Sequence, residues 1–150
     1  MGAAEASSKT AAEVLRRLRK FLLVLALLLF VGALVELWLV GHTKEFVQWI
    51  AFVLAGVGAL SVTMTLFHFG PATVRLLRVC MIVIALGSLF GIYQHISGNV
   101  VFAREINPDS STSQLFWRGL QGGNPLLAPG VLAVAALLAL SSTYRYEVTT

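Results

Sequence analysis

A chain of 150 residues is long enough for one domain, but 57% hydrophobic residues, 12% charged residues and a mean hydropathy of +0.83 lie far outside the composition of a water-soluble one. The net charge of +4 invites a nucleic-acid reading, yet the basic residues flank apolar stretches, where they set membrane topology instead. One cysteine, Cys80, excludes an intrachain disulfide and a cysteine metal cluster.

Crossing about 30 Å of hydrocarbon takes about 20 apolar residues in a helix rising about 1.5 Å per residue. Four stretches meet or approach that length: 21–40, 46–69, 76–96 and 126–143. Lipid offers no hydrogen-bond partners, so these must be helices, and their all-apolar runs do not alternate as barrel strands do. The expected fold is all-α: a four-helix transmembrane bundle with a partly helical extracytoplasmic loop between the third and fourth helices. Residues 10–146 form the single transmembrane domain, with a disordered tail at 1–9 and a C-terminal tail at 147–150.

Thr10-Ala11-Ala12-Glu13 matches a capping box and predicts the start of the first helix. Val14, Leu15, Leu18 and the basic run to Lys20 read as an amphipathic extension against anionic headgroups. The first span is too long for a signal-peptide core and is expected to stay as an anchor. It leaves the membrane at Gly41, and Glu36 is the one carboxylate within a span, about 8 Å below that exit. At this depth it either reaches the headgroups or is protonated and buried. Trp38 belongs to an interfacial belt.

The turn at 41–45 is so short that the first two spans must be antiparallel neighbours. The second span carries Ala51, Ala55, Ala59 and Thr63 at four-residue spacing, a smooth face, with Gly56 and Gly58 off that line and open to another helix. His68 marks its end, and Gly70-Pro71 stops it.

The third span aligns Cys80, Ile84, Gly87, Gly91 and His95 on one face. Gly87 and Gly91 form a small-xxx-small pair that admits a close neighbour, so this groove should face protein. Its simplest partner is the alanine face of the second span. Cys80, in apolar surroundings, reads as a small packing residue.

Residues 97–125 form the longest connection. Asn107-Pro108-Asp109 signals a turn, and Ser111-Thr112-Ser113-Gln114 a second capping box before Leu115, Phe116, Trp117 and Leu120. The product is a short amphipathic helix at the outer surface, closed by Gly122-Gly123. Pro125 and Pro129 frame the fourth span, Ala135, Ala136 and Ala139 give it a packing surface, and Tyr144, Arg145 and Tyr146 anchor its end.

Lys9, Arg16, Arg17, Arg19, Lys20, Arg75, Arg78 and Arg145 lie on one side of this topology, Lys44, Arg104 and Arg118 on the other. The bias puts both termini in the cytoplasm. Glu36, His42, His95, Glu105 and Asp109 then collect on the outer side. Imidazoles and carboxylates are ordinary ligands for zinc, copper(II) or iron and can also relay protons. Glu36, His42, His95 and Glu105 are the candidate metal ligands, with no short-range ligand motif among them.

Haem cannot sit between His68 and His95, which end at opposite membrane faces, and His42 is held in a tight turn. No nucleophile elbow, Walker loop or dinucleotide fingerprint occurs.

Tyr93-Gln94-His95, Gly98-Asn99, Phe102, Glu105, Phe116-Trp117, Leu127-Ala128-Pro129-Gly130 and Thr143-Tyr144-Arg145, with Glu36 and His42 upstream, resemble a type of small four-span bacterial membrane protein of uncharacterised function. The resemblance covers 14–146 and implies architecture and a bacterial inner membrane, without an activity. The expected function is non-enzymatic: an accessory or assembly component, packing with itself or with other membrane-protein subunits in lipid through Ala51, Ala55, Ala59, Gly87 and Gly91. No cofactor is required by it. The alternative is a metal-ion or proton binding or transport site in the Glu/His cluster.

Overall fold

The computed structural model describes residues 2–43, 46–124 and 126–146, and their side chains except at 2–9 and 128. The expected C-terminal tail 147–150 and the singled-out residues Lys44 and Pro125 lie outside the described residues, as does the side chain of Lys9. Five helices form: α1 (Gly2–Leu39), α2 (Phe46–Phe67), α3 (Pro71–Ile106), α4 (Thr112–Gln121) and α5 (Leu127–Ser142). No strand occurs among the described residues, and α1, α2 and α3 are each long and apolar enough to cross a membrane.

Two helix bounds differ from expectation. α1 begins at Gly2, so the stretch read as a disordered tail is helical and Thr10 lies inside the helix rather than at its start. The alanine-rich run favours helix, and Glu13, assigned to a capping box, pairs instead with Arg17 one turn on, at 2.6 Å. That ion pair is exposed and stabilises little. α3 does not stop near Ile96 but continues to Ile106: 97–106 contains no proline, and the Ser97-Gly98-Asn99 turn signal is overridden where Asn99 and Val100 pack against Gly119 of α4. Of the long connection only 107–126 is left, and Ser110 N–H closes its turn on the Asn107 carbonyl at 3.1 Å. The second capping box forms as read: Gln114 N–H donates to the Ser111 hydroxyl at 3.3 Å, and Ser111 N–H to the Gln114 side chain at 3.0 Å.

The helices pack in a ring: α1 against α2 and α5, and α3 against α2 and α5, while α4 touches α3 alone. We call the end bearing the α1–α2 turn the upper end and the end bearing the α2–α3 turn the lower end. Full burial is concentrated toward the lower end, at Leu23, Ala26 and Phe30 of α1, Val62 of α2, Leu77 and Met81 of α3, and Ala136 and Ala139 of α5. Buried hydroxyls are satisfied within their own helices: Ser61 donates to the Gly58 carbonyl, Thr65 to Ser61, Ser88 to Ile84 and Ser142 to Ala139.

The small residues are used inside the chain, though not in the expected pairing. A Cβ on Gly87 would lie 2.6 Å from Leu54 Cδ1, a residue beside the alanine line rather than on it, and one on Gly91 would lie 3.0 Å from Pro129 of α5. Of the α2 alanines, Ala55 is buried while Ala51 and Ala59 are half-buried. Gly58 admits α1, since a Cβ there would meet the Phe30 ring at 2.5 Å; Gly56 faces open space. The face through Cys80, Ile84, Gly87, Gly91 and His95 does turn inward, with Ile84 fully buried and Cys80 half-buried.

The lower end is closed by two arginines at the C-terminus of α5. Arg78 donates from Nε to the Thr143 hydroxyl at 3.1 Å and from Nη2 to the Thr143 and Tyr146 carbonyls at 2.8 Å. Arg19 donates to the Tyr144 carbonyl at 3.0 Å and lies 5.8 Å from the ring centres of Phe69 and Tyr146. Cations here meet backbone carbonyls just past the end of α5 and the negative end of its dipole.

Candidate binding chamber

The upper end is held apart. No residue of α2 before Ala55 is fully buried, and α1 has none after Ala33. Between the helices lies a cavity of about 660 Å³. Glu36 and Leu37 enter it from α1, His42 from the turn, Gln48, Ala51 and Leu54 from α2, Ser88, Gly91 and His95 from α3, and Pro129 and Leu132 from α5. Leu54 over Gly87 and Pro129 over Gly91 form part of its floor and wall.

Three of the four candidate ligands therefore share one space. Glu36, His42 and His95 all line it, although they come from different segments. His42 and His95 are near enough to feel one another's charge: burial first, and the neighbouring His95 second, push the His42 pKa below the ordinary imidazole value. Glu36 is exposed at the chamber mouth. Glu105 does not join them. It sits exposed near the C-terminus of α3, carried away because that helix continues past the depth at which its loop was expected. Asp109 lines a separate small cavity of about 200 Å³ with Asn107, Gln114 and Arg118. Among the described residues no three His, Cys, Asp or Glu side chains converge as a metal site.

Asn99, quoted above only within a resemblance, organises the upper rim. It is buried, its amide nitrogen donates to the carbonyls of Gly119 at 3.0 Å and Asn124 at 3.1 Å, and its oxygen accepts from Asn124 N–H at 2.9 Å. A Cβ on Gly119 would meet Val100 at 2.8 Å, so α4 lies directly on α3. Asn124, fixed in this way, is itself a wall of the chamber. A polar side chain four residues from His95 on the same helix was the available signal.

At the lower end, His68 is exposed, and Arg78 is spent on α5. Comparison with protein-family models, curated proteins and solved structures found no match.

Proposed function

We propose that the chain is a four-span, non-enzymatic integral membrane protein whose upper chamber binds a small ligand. Large apolar side chains such as Leu28, Val35, Leu60, Ile82, Leu86 and Leu137 point outward on all four packed helices, which supports lipid as the surrounding medium. α5 has 16 residues, about 24 Å at helical rise; to span, a helix this short needs the bilayer to thin locally, at a modest cost per Å of mismatch. Arg16, Arg17, Arg19, Lys20, Arg75 and Arg78 gather at the lower end, which supports a cytoplasmic lower face with both termini on it. The upper chamber then opens at the outer surface.

One observation carries the functional part: Glu36, His42 and His95 line a single cavity of about 660 Å³. That volume falls in the range of small-molecule sites, about 300–1,000 Å³. The accessory-subunit expectation relied on small-residue faces offered to a partner. Gly87 and Gly91 are covered from within by Leu54 and Pro129, which takes support from it.

Thermal unfolding of the detergent-purified chain against a panel of small cationic, anionic and neutral compounds tests the binding reading. A ligand of the folded form raises the midpoint with concentration, and Ala51→Phe, which fills the chamber, abolishes the rise. If no compound stabilises the wild type more than the filled variant, the chamber is not a binding site.

A further inference from the structure

We infer that the chamber takes a monovalent organic cation with an apolar body, its charge held against the Glu36 carboxylate. This rests on the binding reading above and adds the class of ligand. Among the described lining residues Glu36 is the one formally charged side chain at neutral pH, and no lysine or arginine is among them. The ion pair between described residues, Arg17 with Glu13, lies at the other end of α1.

None of the described groups that line the chamber with Glu36 is a lysine, an arginine or a second carboxylate. The turn presents His42, α3 presents His95 and Gln94, α2 presents Gln48, the segment before α5 presents Asn124, and α5 itself presents only apolar side chains. His42, its protonation opposed by burial and by His95, adds no repulsion to an incoming cation. Neutral imidazole nitrogens and amide oxygens accept hydrogen bonds from an ammonium group. Ile50, Leu54, Phe90 and Leu132 offer apolar surface for the body of the ligand. A transition metal would need the third converging ligand that the described residues lack, and an anion would face a fixed carboxylate with no described cation to offset it.

Equilibrium binding of tetraphenylphosphonium and tetraphenylborate, ions of like size and opposite charge, to the purified full chain decides the class. The phosphonium is expected to saturate one site per chain, and Glu36→Gln to weaken it about tenfold or more. Borate binding as tightly as phosphonium, or no loss in Glu36→Gln, overturns the cation class. Ala51→Phe tells that failure from failure of the chamber: if it abolishes binding of either probe the chamber stands with another ligand, and if it changes neither both readings fall. Val47→Trp at the exposed rim replaces it if Ala51→Phe does not fold.

Discussion

The two ends of the helix ring solve the same packing problem in opposite ways. Below the chamber the Phe30 ring packs against Gly58, and at the lower end the carbonyls just past α5 meet Arg19 and Arg78. At the upper end the same four helices stay apart, and their polar side chains line a space. In hydrocarbon, apolar side chains gain nothing from leaving lipid, so association rests on close contact and hydrogen bonding. One end is fastened tightly enough for the other to remain open.

The largest expected effect comes from breaking the closed end. Gly58→Leu must drive out the Phe30 ring, which has no exposed surface to retreat to, and should lower stability by about 1–3 kcal/mol. Ala51→Leu, the matched substitution at the open end, should cost far less, because the added atoms enter the chamber; unfolding of both variants in mixed detergent measures the contrast. Arg78→Met removes the clamp and should cost about 1.5 kcal/mol, with Arg78→Lys restoring only part, since a point charge cannot hold Thr143 and Tyr146 at once. Asn99→Ala should act locally: amide hydrogen exchange quickens through α4 while the lower half keeps its protection.

The smallest effect is a pH slope at the open end. The His42 pKa is lower in the folded chain than the ordinary value of 6.5, so the unfolded chain binds the proton more readily. The associated stability is complete above about pH 6.5 and is lost as pH falls from there through the folded-state pKa. His42→Asn should flatten that part of a midpoint-against-pH curve. An unchanged slope would show that the imidazole is not held in the chamber.

Helical character and the short turns were legible because they follow from local rules: apolar run length, Gly70-Pro71, and the Ser111 to Gln114 box. So was the gathering of Glu36, His42 and His95, since antiparallel helices joined by short turns bring those positions to one end. Packing partners were less legible. Spacing shows that Gly87 and Gly91 want a close neighbour, but two helices supply it, and only three-dimensional position reveals Leu54 and Pro129 as the residues that fill them. Glu105 was misplaced because hydropathy marks where a helix leaves lipid, not where it ends. The arginine clamp was hidden for a related reason: a basic residue beside a span reads as a headgroup contact until the terminus of a distant helix is seen to reach it.

Asn99 joins the carbonyl of Gly119 within α4 to the backbone of Asn124 on the chamber rim. Loss of that side chain is expected to loosen both at once, so that a substitution inside α3 is felt at the doorway and along the helix that carries Phe116 and Trp117. A single amide ties the doorway to the surface.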